Sequence, residues 1–169
     1  LDERGGTEVA LAPLRLRAVP LGDRPPARCR RALRVALARE PVRRGDPFLH
    51  HKTTRREVYE RALAGRPGRD EVILWNEEGE ATEGTIANLV VRDAAGYWTP
   101  PLECGLLGGT FRAELLERGT VRERRIAVDE LRAARDIWLV SSVRGWRRCR
   151  LVDGECADAG RPRERCGRV

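Results

Sequence analysis

The order of apolar and polar positions along the chain predicts a series of short strands. Residues 9–19 alternate apolar and basic side chains, as in Leu14, Arg15, Leu16 and Arg17, which is the pattern of a half-buried strand. Turn residues at 22–26 follow this segment. Apolar runs bounded by Gly, Pro, Asn or Asp then predict further strands. These strands lie at 32–38, 71–75, 86–92, 97–99, 121–128, 136–140 and 149–152.

Helical signals separate some of these strands. Thr54, with Glu57 three positions later, forms a capping box at the start of a helix, and Asp129 is a typical N-cap residue. We expect an antiparallel meander over 71–99, because the strands there are joined by tight turns. Strands mixed with helices place the chain in the α/β (α+β) class. The predicted helices lie at 55–64, 111–118 and 130–134.

The length of the chain, 169 residues, is enough for one ordinary hydrophobic core. The sequence contains no Met, which predicts that the original start of the protein is missing. The last segment, 155–169, is rich in Arg, Gly and Pro, and we expect it to be a disordered tail.

The net charge of +7 raises the question of a nucleic-acid partner. However, 26 acidic residues are interleaved with the 33 basic ones, and only 5% of the residues are aromatic. Such mixing is typical of a solvated surface, and no pattern of alternating basic and aromatic residues is present. Nucleic-acid binding is therefore a minor alternative.

The cysteines and apolar runs exclude several other classes of protein. The five cysteines form no CxxC pair and are odd in number, so neither a metal site nor a complete disulfide framework is predicted. No apolar run approaches the ~20 residues of a membrane span, and no signal segment opens the chain. We expect a cytoplasmic protein with reduced thiols and without membrane contact.

The strongest chemical signal is Lys52, the only lysine among the 33 basic residues. A guanidinium stays protonated, whereas an amine can lose its proton and form a Schiff base with a carbonyl. Lys52 is thus a candidate covalent anchor, although one lysine can also survive by chance in an Arg-biased composition.

Three further features point to an anionic aldehyde ligand, each with an ordinary structural alternative. Gly108-Gly109 opens into a helix, where backbone amides can hold a phosphate. Glu83 stands at the start of a strand, where its carboxylate can hold a protonated ring nitrogen. Ser141-Ser142 follows an apolar strand, where hydroxyls can bind phosphate oxygens, but serines are also common loop residues.

These features occur in the order found in a known family. The chain resembles the class IV aminotransferase family, the fold-type IV pyridoxal-phosphate enzymes, over residues 14–152. The resemblance is carried by the stretches His51-Lys52-Thr53-Thr54-Arg55-Arg56, Thr82-Glu83-Gly84-Thr85-Ile86-Ala87-Asn88-Leu89, Thr99-Pro100-Pro101-Leu102, Gly105-Leu106-Leu107-Gly108-Gly109-Thr110-Phe111-Arg112 and Ser141-Ser142-Val143-Arg144-Gly145-Trp146.

The resemblance implies a role for each matching residue toward pyridoxal 5'-phosphate. Lys52 would bind the cofactor covalently and move protons at the substrate carbon. Glu83 would hold the pyridine nitrogen, and Arg56 would lie near the cofactor or substrate. The phosphate would be held by residues of two loops. These residues are Gly109, Thr110, Phe111, Ser141 and Ser142.

The resemblance also implies a fold and a domain organisation. The fold would be that of D-amino-acid aminotransferase, with a large pyridoxal-phosphate-binding domain at 46–154. Residues 1–45 would be a remnant of the small N-terminal domain, because no His-x-x-Arg-Leu motif precedes Lys52. Relatives form homodimers, and the same is expected here.

Within the family the resemblance is strongest to the lyases, including forms fused to aminodeoxychorismate synthase. It implies a small-molecule substrate, 4-amino-4-deoxychorismate, converted to 4-aminobenzoate and pyruvate. Two positions depart from relatives: Phe111 stands where many transaminases have Thr, and Ser141 where the lyases usually have Asn. Alternatives are a transaminase for D- or branched-chain amino acids and a truncated, non-catalytic domain.

Overall fold

The structure is a computed structural model that describes residues 22–26 and 31–152. The strands are β1 (Leu33–Leu37), β2 (Glu71–Trp75), β3 (Ala81–Gly84), β4 (Asn88–Asp93), β5 (Gly96–Thr99), β6 (Arg122–Glu123), β7 (Asp136–Ser141) and β8 (Gly145–Leu151). The helices are α1 (Pro47–His50), α2 (Glu57–Ala64), α3 (Thr110–Glu117) and α4 (Val128–Ala133), with a 3-10 turn at Leu102–Cys104. The mixed class predicted from the sequence is confirmed.

The strands form one sheet in the order β3-β2-β1-β8-β7-β4-β5-β6. An additional pairing between β3 and β4 joins two distant strands of that order and closes six strands into a ring. The contact is short, with Glu83 opposite Asn88. The predicted meander is confirmed, since β2 to β5 pair antiparallel in succession, and it contains β3 as an additional strand.

Apolar side chains of all six ring strands form one buried cluster. Alternate residues of a strand point to opposite faces of a sheet, so Leu89 and Val91 enter this cluster while Val90 packs on the outside against α3. Ile126 and Leu131, which are fully buried, join the same cluster from the segment before α4 and from α4. A smaller cluster packs α1 and α2 on the outer face of β2.

β1 is one of the six strands of the ring and pairs in parallel with β2 on one side and with β8 on the other. The predicted boundary near residue 45 therefore does not coincide with an edge of this sheet. The predicted strand at 9–19 and the tail at 155–169 lie outside the described residues. Within the described part of the chain, no helix is long and apolar enough to cross a membrane.

The predicted start of the helix at 55–64, which is α2 in the structure, was wrong. α2 begins at Glu57, and its N-cap residue, Arg56, makes no side-chain capping bond. Thr53 instead accepts a hydrogen bond at Oγ1 from the Arg55 amide, 3.2 Å away. Such a local turn competes with a helical start, so the Thr54 capping box does not form.

Three predicted segments after residue 120 were also wrong in extent. Of the strand predicted at 121–128, only Arg122–Glu123 forms a strand, because the chain then leaves the sheet edge to bury Ile126 in the ring. Ala127 makes an isolated bridge with Glu80. α4 accordingly starts at Val128, without capping by Asp129. The strand predicted at 149–152 starts earlier, since β8 already begins at Gly145.

Gly105 packs closely against Arg44, in the loop that precedes α1. It has φ +89°, and a Cβ at this position would lie 2.6 Å from the Arg44 Cα. Both the left-handed backbone and the contact require glycine.

We expect Gly105→Ala to lower the free energy of unfolding by about 2 kcal/mol or more, through backbone strain and displacement of the Arg44 loop. Gly45→Ala is the matched control, because a Cβ there meets no atom within 4 Å. Urea unfolding of both variants checks the contact. Equal losses would show that Gly105 does not pack on Arg44.

Candidate active site

One cavity, of about 460 Å³, brings the predicted site residues together. A cavity of this size suits a cofactor-sized ligand. It lies where the loop before α2, the β3–β4 turn, the start of α3 and the β7–β8 turn meet. The predicted residues that line it are Lys52, Arg56, Glu83, Gly109, Thr110, Phe111, Ser141 and Ser142.

Lys52 lies in the segment between α1 and α2. α1 is started by Asp46, whose Oδ1 accepts a hydrogen bond of 2.9 Å from the Phe48 amide, and by Pro47 in its first turn. The Lys52 side chain is exposed, yet it lines the same cavity as Glu83 and Gly109. Lys52 therefore lies on the wall of the cavity that Glu83 and Gly109 also line, and its covalent bond to a ligand stays a prediction.

Glu83 is buried in β3, with only 4% of its surface exposed. Its Oε1 accepts hydrogen bonds from the Tyr59 hydroxyl at 2.8 Å and from the Leu107 amide at 3.1 Å. Its Oε2 has one long contact of 3.4 Å, from Asn88 Nδ2. Oε2 thus keeps capacity to accept a hydrogen bond from a ligand.

Burial raises the pKa of the Glu83 carboxyl to about 7, from an ordinary value of 4.5. The hydrogen bonds from Tyr59 and Leu107 and the positive charges of Arg56 and Arg112 oppose this rise. Burial, followed by the negative charge of Glu83, raises the pKa of Tyr59. Tyr59 therefore keeps its proton and remains a donor to Glu83.

The N-terminus of α3 forms another wall of the cavity. Gly109 is the N-cap residue and makes no side-chain capping bond. The amides of Thr110 and Phe111 have no intrahelical acceptor, because they lie in the first turn. Such a turn favours an anion through both its amides and the helix dipole.

Asn88 joins this helix start to Glu83. Its Nδ2 donates to the Leu107 carbonyl at 2.7 Å and approaches Glu83. Its Oδ1 lies so close to Gly109 that a Cβ there would be 2.1 Å away. Gly109 is thus required by the packing of Asn88 rather than by its φ of −67°.

The two serines stand at the β7–β8 turn. Ser141 ends β7, and its Oγ accepts a hydrogen bond of 3.3 Å from the Arg144 amide. Ser142 is exposed and lines the cavity. Both serines line the cavity, and the binding of a phosphate by their hydroxyls stays a prediction.

Arg56 is held by the protein on two sides. Its Nη2 donates to the Thr85 carbonyl at 2.5 Å, and its guanidinium lies 4.7 Å from the centroid of the Tyr59 ring. It lines the cavity, but these contacts also give it a function in shaping the site. Its contact with a substrate stays a prediction.

The sequence did not reveal the contributions of Tyr59 and Asn88. Tyr59 is the one aromatic residue of α2 and faces the sheet. An aromatic residue in a helix indicates a packed position and does not by itself indicate a hydrogen bond to Glu83. Asn88 follows the Thr82–Thr85 motif closely, but only the pairing of β3 with β4 shows that it faces Glu83.

The groups of this cavity are the complement of an aldehyde that carries a phosphate and a ring nitrogen. They comprise an amine at Lys52, an acceptor oxygen at Glu83 and an uncapped helix start at Gly109. An aldehyde can bind the amine, a protonated ring nitrogen can bind the carboxylate, and a phosphate can bind the helix start. The site therefore fits pyridoxal phosphate.

The chain belongs to the amino-transferase class IV family, whose sequence pattern matches residues 10–152. It is 32% identical over 106 residues to a Schizosaccharomyces pombe protein named provisionally as an aminodeoxychorismate lyase, covering 59% of this chain and 46% of that protein. It is 31% identical over 131 residues to the aminodeoxychorismate lyase of Saccharomyces cerevisiae, covering 66% and 35%. The chain thus spans less than half of the length of these relatives.

Solved structures share the fold. A Mesorhizobium loti protein described provisionally as an amino-acid aminotransferase matches with a TM-score of 0.69 and 37% identity, covering 73% of this chain and 61% of that one. The pyridoxal-phosphate-bound form of a hypothetical aminotransferase of Mycobacterium tuberculosis matches with a TM-score of 0.62 and 28% identity, covering 73% and 49%. The predicted family, fold and pyridoxal-phosphate class are confirmed.

We expect Gly109→Ala to lower the free energy of unfolding by about 2 kcal/mol or more, because Asn88 must move and lose its buried hydrogen bonds. Gly108→Ala is the matched neighbour, since its Cβ would meet only Leu102 atoms at 3.6 Å or more. It should change stability by about 0.5 kcal/mol or less. Similar values from denaturant unfolding would contradict the close packing of Asn88 on Gly109.

Glu83 should make stability depend on pH in a definite direction. Its folded pKa, about 7, exceeds its ordinary value of 4.5, so the folded protein binds the additional proton. Its contribution is fully present below the ordinary pKa and is lost as pH rises through the folded pKa.

Glu83→Gln should remove this loss, with an upper limit of roughly 3 kcal/mol between about pH 5 and about pH 8. Unfolding of both proteins in urea at the two pH values measures the difference. Glu117→Gln, at the exposed end of α3, is the control. The same pH slope in the wild type and Glu83→Gln would show that Glu83 is not buried in this way.

Proposed function

We propose that this chain is the cofactor-binding part of a pyridoxal-phosphate-dependent lyase that converts 4-amino-4-deoxychorismate to 4-aminobenzoate and pyruvate. One observation carries the proposal: a single cavity is lined by the only lysine, a buried carboxyl with an open oxygen, and an uncapped helix start. The names of the two curated relatives support the lyase reaction.

The cofactor would be held at three points. Lys52 Nζ would hold the aldehyde carbon covalently, and Glu83 Oε2 would accept a hydrogen bond from the ring N–H. The amides of Thr110 and Phe111 bind the phosphate, with hydroxyls of the β7–β8 turn beside them. When bound, pyridoxal phosphate supplies an electron-withdrawing ring that stabilises negative charge on the substrate carbon.

The residues of the chain would then handle protons and charge. The Lys52 amine would take a proton from the substrate carbon that bears the amino group and would return it to the enolpyruvyl group, which leaves as pyruvate when its carbon–oxygen bond to the ring breaks. Glu83, ionised beside the ring nitrogen, keeps that nitrogen protonated. Tyr59 and Leu107 hold the carboxylate by its other oxygen, so its orientation is fixed before the cofactor binds.

The wider assembly is part of the same proposal. A homodimer is supported by apolar side chains that line the cavity yet remain exposed, Ile86 at 50% and Val143 at 86%. The cytoplasmic location and the association with aminodeoxychorismate synthase stay predictions. The first rests on the cysteine and apolar patterns of the sequence, and the second on the resemblance to the fused lyases.

A transaminase is the second candidate. It is favoured by the Mesorhizobium loti structure, which is the more similar in sequence of the two solved structures above. The two reactions differ in what they require. A lyase releases pyruvate from 4-amino-4-deoxychorismate without an amino acceptor, whereas a transaminase needs a 2-oxo acid, so a coupled pyruvate assay with and without an acceptor separates them.

We expect the chain, mixed with pyridoxal phosphate and reduced with borohydride, to carry one adduct on Lys52. Peptide mass spectrometry identifies the site, and Lys52→Arg should abolish the adduct while keeping the positive charge. Arg55→Lys in the Lys52→Arg background is the control for a lysine merely near the cavity, and should remain largely unmodified. A wild-type chain without saturable binding would contradict the proposal and favour a non-catalytic domain.

A further inference from the structure

Glu71 is a buried carboxyl that does not line the cavity. It is the first residue of β2, and 5% of its surface is exposed. Its Oε1 accepts three hydrogen bonds: from the amide of Val72 at 3.0 Å, the amide of Thr85 at 3.0 Å and the Thr85 hydroxyl at 2.5 Å. Two of the three come from the turn that follows Glu83.

A buried carboxyl costs stability unless its oxygens are bound by donors. An apolar residue would serve the packing of β2 at least as well, because Val72, Ile73 and Leu74 are all fully buried. What the carboxyl of Glu71 provides is a fixed position for the turn between β3 and β4. The turn is closed on its other side by the Gly84 amide, which donates to the Ala87 carbonyl at 2.8 Å.

The position of Thr85 determines the position of Arg56. The Thr85 carbonyl accepts the Arg56 guanidinium, which lies over the ring of Tyr59. Tyr59 in turn donates to Glu83. A continuous series of contacts therefore runs from Glu71, outside the cavity, to the carboxyl inside it.

We propose that Glu71 is a positioning residue that acts through Thr85 to hold Arg56 against the Tyr59–Glu83 pair, so that Glu83 is oriented and ionised to receive a protonated ring nitrogen. The inference rests on the proposed cofactor site. Glu71 and Thr85 thereby help to set the charge of Glu83, and neither residue does so by direct contact with a ligand.

The other charged groups near Glu83 are held separately. Arg112, on α3, lowers the pKa of Glu83 too, but it is fixed by the Pro100 carbonyl at 2.8 Å and by Glu123 at 2.5 Å. Tyr59 is bonded to Glu83 directly, and Lys52 lines the same cavity. A change at Thr85 therefore reaches Glu83 through Arg56 and leaves the Arg112 anchor intact.

The test uses Thr85→Val, which keeps the shape and changes no charge, with Thr85→Ser as the variant that keeps the hydroxyl. The protonation of Glu83 is followed in the full chain without cofactor, by carbon NMR of labelled glutamate, with Glu83→Gln to assign the signal. Loss of the hydroxyl bond loosens Thr85 and lets Arg56 move away. In Thr85→Val, the titration midpoint of Glu83 should then rise by about one pH unit. In Thr85→Ser, the Glu83 midpoint should stay near the wild-type value.

Arg56→Gln separates positioning from general damage. It should raise the Glu83 midpoint by about one unit or more, since the cation itself is lost. Adding Thr85→Val to Arg56→Gln should then produce no further rise. A Thr85→Val midpoint equal to that of the wild type, or a rise that persists in the double variant, would overturn the inference. Glu71→Gln, which keeps an acceptor oxygen, should change the Glu83 midpoint less than Thr85→Val does.

Cofactor affinity gives a second readout. At about pH 7, Thr85→Val should bind pyridoxal phosphate roughly fivefold more weakly than the wild type, and the difference should shrink as pH rises above the new midpoint. A wild-type chain that fails to bind the cofactor contradicts the proposed function. The Glu83 midpoints, measured without cofactor, still decide whether Glu71 and Thr85 position Arg56.

Discussion

The site depends on one buried carboxyl, that of Glu83, which has short hydrogen bonds to only one of its two oxygens. Glu83 has one oxygen bound by Tyr59 and Leu107 and a second oxygen with only a long contact from Asn88. A fully paired carboxylate would have nothing to offer a ligand, and an unpaired one would be too costly to bury. The second oxygen of Glu83 remains an acceptor for a ligand. Burial raises the pKa of this carboxyl to about 7, so its charge depends on the groups around it.

The fold produces this arrangement through the short pairing of β3 with β4. That pairing closes the ring of strands, sets Asn88 opposite Glu83 and brings the turn at Thr85 toward β2. Asn88 then fixes the start of α3 by close packing on Gly109. The carboxyl and the helix start are therefore positioned by one local contact, which explains how a cavity with both groups forms within this part of the chain.

Much of the fold was predictable, because apolar runs and turn residues mark strands such as β2 and β4 clearly. The strand β3 was missed, since Thr82 and Glu83 are polar and are buried in a strand that pairs with both β2 and β4. The order of Lys52, Glu83, Gly109 and Ser141 indicated the cavity through a resemblance rather than through spacing. Tyr59, Asn88 and Glu71 could not be predicted as parts of the site, because their hydrogen-bond partners lie 24, 19 and 14 residues away in the sequence and meet them only in the folded chain.

A crystal structure of the full chain grown with pyridoxal phosphate tests the central claim most directly. We expect continuous density from the cofactor to Lys52 Nζ, a ring nitrogen within hydrogen-bond distance of Glu83 Oε2, and the phosphate on the amides at the start of α3. A cofactor bound away from this cavity, or a Glu83 carboxyl with no contact to it, would contradict the claim.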